Sequence, residues 1–214
     1  MMLKLQNINV NFKGRTIFSE LELDIEKSGI YGFVGPNGTG KSVLFKLISG
    51  IYRPDLGEVF VRGQQLGKNG VDFAPNLGIM VDNPGFVGIY TGFKNLKFLG
   101  EIQGKVTDIE IKEWMKFLGL NPDDKTLTKN YSLVMKQKLG IIQAIMEGQD
   151  IVILDEPFNA LDKKSTAKVK DLILKLKSEN KTILLTSHNQ SDLDELCDKI
   201  YYLEDYKLNE TEEI

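Results

Sequence analysis

The feature that most constrains this chain is an octapeptide set between two kinds of apolar pattern. Gly35-Pro36-Asn37-Gly38-Thr39-Gly40-Lys41-Ser42 fits G-x-x-x-x-G-K-[ST]. It follows the apolar run Ile30-Tyr31-Gly32-Phe33-Val34 and precedes the helix-periodic stretch Val43 to Ile48. Strand, glycine loop and helix, in that order, are the context in which a P-loop binds nucleotide phosphates. Glycines let the backbone curl so that successive N–H groups face a phosphate, and the positive end of the following helix adds to the field. Lys41 then reaches the β- and γ-phosphates as a point charge, and the Ser42 hydroxyl takes a place on Mg²⁺. Without those flanks the octapeptide would read as a flexible glycine turn.

Two further features fall at strand ends. The run Ile151-Val152-Ile153-Leu154 leads straight into Asp155-Glu156, which puts two carboxylates at the C-terminal end of a buried parallel strand, the edge where open α/β sheets bind ligands. Asp155, directly after the strand, suits a metal-holding role. Glu156 then points to the opposite face as candidate general base. An exposed acidic turn is the alternative reading. The only histidine, His188, follows Thr186-Ser187 at the end of the next buried run. A lone histidine is often structural, but here it would converge with the P-loop and the carboxylates on one sheet edge, as a γ-phosphate sensor.

The remaining pattern supplies the frame. Leu3, Leu5, Ile8, Val10 and Phe12 alternate, and so do Leu21, Leu23 and Ile25 after Lys13-Gly14, so the chain opens with antiparallel strands. Gly50 reads as the C-cap of the P-loop helix, and strands are expected over Glu58 to Val61 and Leu77 to Val81. From Asn95 to about Gln149 the apolar spacing is mainly helical. Within that region Asn121-Pro122 reads as an N-cap followed by a first-turn proline, and Ser132 as the start of a helix running to Gly148. A helix from Lys163 to Ser178 joins the strands Ile151 to Leu154 and Thr182 to Leu185 as a βαβ crossover. The acidic tail from Asn209 to Ile214 reads as frayed. The expected class is α/β: a P-loop NTPase core with a mostly parallel sheet, an N-terminal antiparallel β subdomain and an inserted helical lobe. One domain over 1-214 is expected, with a core lobe at about 1-83 and 150-214 and a helical lobe at about 84-149.

Composition narrows the function classes. A chain of 214 residues with 42 % hydrophobic and 27 % charged residues is ordinary for a soluble domain, and no apolar run approaches the ~20 residues that span a bilayer. The N-terminus lacks the apolar core of a secretory signal, and the single Cys197 forms no internal disulfide, so a cytosolic location is expected. Cys197 reads as a small apolar helix residue rather than a nucleophile. The net charge of −3 argues against a strongly electrostatic nucleic-acid binder, and no nucleic-acid partner is expected.

In this motif order the chain resembles the nucleotide-binding subunit of an ATP-binding cassette (ABC) transporter over nearly its whole length. The resemblance places Phe12 at the aromatic residue that stacks on adenine, with a core strand residue as the other reading. It places Val81-Asp82-Asn83-Pro84 at the Q-loop and Tyr131-Ser132-Leu133-Val134-Met135 at the signature. Asp155-Glu156-Pro157 falls at Walker B, Phe158 to Asp162 at the D-loop, and Thr186-Ser187-His188 at the switch histidine. It implies ATP and Mg²⁺ as ligands, with Gly35 to Ser42, Val43, Ser132 and Asp162 on the nucleotide, Ser42, Asp82 and Asp155 on the metal, and Glu156 and His188 in catalysis. It also implies a head-to-tail pair with a second ABC subunit, a homodimer or heterodimer with ATP between the P-loop of one and the signature of the other. Integral membrane permease subunits, reached through the helical lobe and Q-loop, would hold the pair on the inner face of the cell membrane. Phe86, Tyr90, Phe93 and Phe98, between Pro84 and Gly104, would form that coupling surface or pack within the lobe.

Two positions depart from the family pattern. Val134 stands where the signature has its second glycine and adds bulk where backbone and phosphate nearly touch. Asp82 stands where the Q-loop usually has glutamine; an anion there would repel phosphates without metal and make ATP binding unusually Mg²⁺-dependent. Asp82, Tyr131-Ser132-Leu133 and Asp155 to Asp162 together resemble bacterial cassettes of the bacitracin and lantibiotic export or immunity type. The leading expectation is an ATPase subunit powering a separately encoded permease, with export favoured over import. The alternatives are a catalytically weak or regulatory cassette that needs a partner cassette, and a soluble ABC ATPase outside transport.

Overall fold

The alternating and continuous apolar runs of the sequence build two different sheets. A computed structural model describes residues 2–82 and 85–210; Asn83 and Pro84 of the expected Q-loop, and residues 211–214 of the tail, lie outside the described residues. In chain order the strands are β1 (Leu3–Phe12), β2 (Arg15–Ile25), β3 (Gly29–Val34), β4 (Leu56–Val61), β5 (Gln64–Gln65), β6 (Leu77–Met80), β7 (Ile151–Leu154), β8 (Thr182–Thr186), β9 (Lys199–Glu204) and β10 (Lys207–Glu210). The helices are α1 (Lys41–Ser49), α2 (Gly92–Gln103), α3 (Asp108–Phe117), α4 (Leu133–Ile145), α5 (Lys163–Ser178) and α6 (Gln190–Leu196).

The half-buried alternation of β1 and β2 produces an antiparallel sheet in the order β2-β1-β4-β5. The apolar runs produce the other sheet, ordered β10-β9-β3-β8-β7-β6, which is parallel apart from β10. All residues of β7 and β8 are buried, as strands covered on both faces must be. The period of two divides each strand between two cores. Ile151, Ile153 and Leu184 join Phe18, Phe33, Phe45 and the β1 side chains on the face shared with the antiparallel sheet and α1. Val152, Leu154, Ile183 and Leu185 join α4 and α5 on the other face, through Leu139, Ile142, Leu172 and Ile173. The parallel core, the N-terminal antiparallel sheet and the helices between β6 and β7 match the expected α/β class.

This arrangement brings the ends of β3, β7 and β8 side by side, so the P-loop, Asp155-Glu156 and His188 emerge on one edge. Gly78 lets β6 lie directly on α4: a Cβ at that position would stand 1.7 Å from the Ala144 carbonyl oxygen.

The structure corrects the sequence reading at four places. Asn121-Pro122 starts no helix; the Asn121 side chain accepts from the Asp123 N–H (3.0 Å) and caps a turn, and Leu127 soon bridges back to Thr91, leaving no length for a helix. α4 stops at Ile145, ahead of Gly148. β6 ends at Met80, one residue before Val81. Asn209 and Glu210 are not frayed but belong to β10, paired with Tyr202 and Tyr201 of β9. No helix among the described residues is long and apolar enough to cross a membrane.

Candidate active site

The P-loop end of the site turns on a glycine in a backbone conformation that side chains rarely adopt. Gly40 caps α1 at φ 107°, in the left-handed region, and a Cβ there would come within 2.8 Å of Ile17 and the Phe18 ring. No side chain caps α1, so its first N–H groups are left for a ligand, and the helix dipole makes that end favourable for an anion. Lys41 Nζ donates to the carbonyl oxygens of Gly35 (2.6 Å) and Pro36 (3.2 Å), which holds the ammonium over the loop. The Thr39 hydroxyl donates to the Pro36 carbonyl (2.9 Å) and tightens the turn.

The second half of the site meets this loop through a direct contact. The Ser42 hydroxyl donates to Asp155 Oδ2 at 2.6 Å, and the buried Thr186 hydroxyl donates to Asp155 Oδ1 at 2.7 Å. Glu156 follows at φ 52°, a left-handed conformation that costs a non-glycine residue about 1 kcal/mol or more. Its N–H donates to Thr186 Oγ1 (2.8 Å) and its carbonyl accepts from Gln137 Nε2 (2.8 Å). Its carboxylate accepts from the His188 N–H (3.2 Å to Oε2), while His188 Nε2 lies 3.4 Å from Oε1. Oε1 is buried and without a hydrogen-bond donor among the described residues. Burial pushes the Glu156 carboxyl up from its ordinary value and the Asp155 charge adds to this, while His188 and Lys41 oppose it.

Asn37, Gly38, Gly40, Lys41, Ser42, Val43, Asp155, Glu156 and His188 line one cleft of about 280 Å³, with Ile17 as an apolar wall. An adjoining cleft of about 310 Å³ is lined by Asp82, Leu133, Gln137, Asp155, Glu156 and Asn159. The donor set suits magnesium. One hydroxyl and one carboxylate oxygen already meet at hydrogen-bond distance, and Mg²⁺ binds through few protein oxygens while keeping water and phosphate ligands. Among the described residues no three His, Cys, Asp or Glu side chains gather as an all-protein cage.

Gly35, Pro36 and Thr39 of the P-loop do not line the cleft, and four expected residues from other elements stand outside it. Phe12 closes β1 with its ring 51 % exposed and Lys13 Nζ 5.7 Å from the ring centroid. Ser132 caps α4, accepting from the Met135 N–H (3.2 Å), and Asp162 caps α5, accepting from the Ser165 N–H (2.7 Å). Hydrogen bonds from Ser165 hold the Asp162 carboxyl below its ordinary value. Asp82 has φ 58° and pairs with Lys46 of α1 at 2.6 Å, so its charge is partly neutralised in the protein itself. Val134 lies in the first turn of α4, half-buried. Burial, then the charges of Asp198 and Asp194, push the Cys197 thiol up to about 12, which leaves it protonated and inert.

Sequence reasoning named Thr186 only as a flank of the switch histidine and found no role for it, for Gln137 or for Lys46. A threonine ending an apolar run and a glutamine on an apolar helix carry no motif, although a polar residue on an otherwise buried helix face is the one available signal.

A P-loop at the end of β3, a carboxylate pair after β7 and a histidine after β8 define a nucleotide-hydrolysing cassette. Residues 18–159 match the family model described as ABC transporter, and the chain belongs to that family of ATP-binding cassette ATPases. It is 35 % identical to the uncharacterized ABC transporter ATP-binding protein YybJ of Bacillus subtilis, over all of this chain and 97 % of that protein. It is 31 % identical to the bacitracin transport ATP-binding protein BcrA of Enterococcus faecalis, over 93 % of this chain and 65 % of that protein. It is 30 % identical to the lantibiotic transport ATP-binding protein SrtF of Streptococcus pyogenes, over 97 % and 89 %. The last two are named for the bacitracin and lantibiotic type that Asp82 and the Tyr131-Ser132-Leu133 signature resemble. In fold, the chain superimposes over its full length on all of a solved dimeric ATP-binding cassette, MJ0796 with ADP and Pi, with a TM-score of 0.87 at 19 % identity.

Proposed function

We propose that this chain binds and hydrolyses ATP with Mg²⁺ to power a separately encoded membrane permease, as the motor of an exporter. The observation that carries the reading is the single cleft in which Lys41, Ser42, Asp155, Glu156 and His188 converge. The family, together with transport ATP-binding relatives named for bacitracin and a lantibiotic, supports the transport side, and the export direction rests on the resemblance of Asp82 and the Tyr131-Ser132-Leu133 signature to export or immunity cassettes.

In this reading the P-loop N–H groups at the head of α1 and the Lys41 ammonium take the β- and γ-phosphates, with Val43 beside them. Phe12 offers its exposed ring to the adenine. Ser42 and Asp155 hold Mg²⁺, with Asp82 beside them, and the ion would neutralise phosphate charge in that position. Glu156 accepts the proton of the attacking water as the new P–O bond forms at the γ-phosphorus and the bond to ADP breaks. Its unpartnered Oε1 is the atom left free for that water. His188 steadies the carboxylate through its N–H, and its ring Nε2, 3.4 Å from Oε1, stands beside the same carboxylate within the cleft.

Ser132 and Asp162 lie outside this cleft and act across a cassette pair, Ser132 toward the partner's phosphate and Asp162 at the junction. The core lobe spans about 1–83 and 150–214 and the helical lobe about 84–149, the latter meeting the permease at the inner membrane face. There Phe98 is exposed and packs edge-on to Tyr90 (5.0 Å), whereas Phe86 and Phe93 pack on the core.

The half-buried Val134 favours a second reading, in which the signature serves its site poorly and a partner cassette supplies the better one. Mg²⁺-dependent hydrolysis by the purified chain, lost in Glu156→Gln, supports the first reading; ATP binding without turnover supports the second.

A further inference from the structure

The backbone of Glu156 is held from both sides by side chains to which the motif pattern assigns no role. Thr186, fully buried at the end of β8, accepts from the Glu156 N–H (2.8 Å) and donates to Asp155 Oδ1 (2.7 Å). Gln137, 8 % exposed on α4, donates to the Glu156 carbonyl (2.8 Å). Between these two bonds lies a residue at φ 52°, a conformation that persists only where its surroundings over-determine it. The direction of its side chain follows from that backbone, and with it the place of the orphan oxygen Oε1.

We infer that Thr186 and Gln137 form a two-point clamp that fixes Glu156 in its strained conformation, and that both are positioning residues for hydrolysis. The inference rests on the reading of Glu156 as general base. The two arms have different origins. Thr186 belongs to the parallel core, and its one hydroxyl ties Asp155 to Glu156, so the metal side and the base side of the site share an anchor. Gln137 belongs to the helix that Ser132 caps, so the carbonyl-side bond is made only while α4 is docked against the end of β7. Displacing α4 opens the clamp and frees the strain. Neither residue lines the P-loop cleft, and Gln137 lines only the adjoining one, so the clamp acts on the chemical step more than on nucleotide binding.

The test compares Thr186→Val, Thr186→Ser, Gln137→Met and Glu156→Gln in the full-length chain by steady-state MgATP hydrolysis, with thermal melting alongside. A clamp predicts that Thr186→Val and Gln137→Met each lower kcat about tenfold or more while KM for MgATP moves by less than about threefold. Thr186→Ser, which keeps the hydroxyl, should restore most of kcat. In the Glu156→Gln background Gln137→Met should add no further loss, because it acts through Glu156. Wild-type kcat in both variants would overturn the clamp, as would parallel losses in kcat and melting temperature that serine does not rescue. If Thr186→Val fails to fold, Gln137→Met decides alone, since it leaves the buried strand untouched. Full hydrolysis by Glu156→Gln would instead remove the general-base reading, an outcome separate from either result for the clamp.

Discussion

At the residue scale the proposed chemistry depends on one carboxylate in an unfavourable place. Glu156 is pushed toward its protonated form by burial first and by Asp155 second, with His188 and Lys41 opposing. A general base works only when ionised, so the acid limb of the pH–rate profile should lie above the pH at which an ordinary glutamate titrates. The stability sign follows from the same shift. A carboxyl whose folded pKa is raised holds its proton better folded than unfolded, so its contribution is fully present below the unfolded value and is lost as pH rises through the folded one. Glu156→Gln should therefore melt higher than the wild type at pH 7 to 8, and the difference should vanish in acid, as read by thermal melts across that range. The same variant should lose about a hundredfold or more in kcat. Val134 is the other decisive residue: if its bulk at the head of α4 limits the signature, Val134→Gly should raise turnover several-fold in a complex where this signature is used. Unchanged turnover would show that the loop accommodates valine. The Asp82–Lys46 pair changes what the sequence implies about metal dependence, because Lys46 offsets part of the repulsion that a bare aspartate would direct at the phosphates.

At the element scale the sheet edge is as good as the close approaches behind it. β6 lies on α4 through Gly78, where a Cβ would meet the Ala144 carbonyl oxygen at 1.7 Å, backbone against backbone with no flexible side chain to yield. Gly78→Ala should cost about 2 to 3 kcal/mol by overpacking, a fall in melting temperature of roughly 4 to 12 °C for a chain of this size. It should also weaken hydrolysis, since α4 carries Gln137. The legibility of each element follows its physics. β7 and β8 were readable because strands buried on both faces leave continuous apolar runs, and α1 because a glycine loop and Gly50 bracket it. Asn121-Pro122 misled because the same Asn side chain caps either a helix or a turn, and the choice was made by the Thr91–Leu127 bridge, a contact distant in sequence. β10 was hidden because its stability comes from pairing with β9 and not from its own polar residues. In the site, the residues that sequence gave away carry special chemistry at strand ends. Thr186 and Gln137 act through ordinary hydrogen bonds to a backbone, and that leaves no pattern.

At the scale of the whole molecule, two cores flank one parallel sheet, and the site sits on the edge where β3, β7 and β8 end together. Ser132 and Asp162 cap α4 and α5 away from the P-loop cleft, so a complete site of the proposed kind needs a second cassette to supply its signature. Nucleotide, dimer and turnover are thus one claim. The measurement that tests it most directly follows ATP hydrolysis by the purified chain with and without Mg²⁺, beside Glu156→Gln, while size-exclusion chromatography with ATP records the oligomer. The account predicts Mg²⁺-dependent turnover in the wild type, and in the variant a loss of turnover with an ATP-trapped dimer. Turnover that survives in Glu156→Gln, or that proceeds equally well without Mg²⁺, would contradict it.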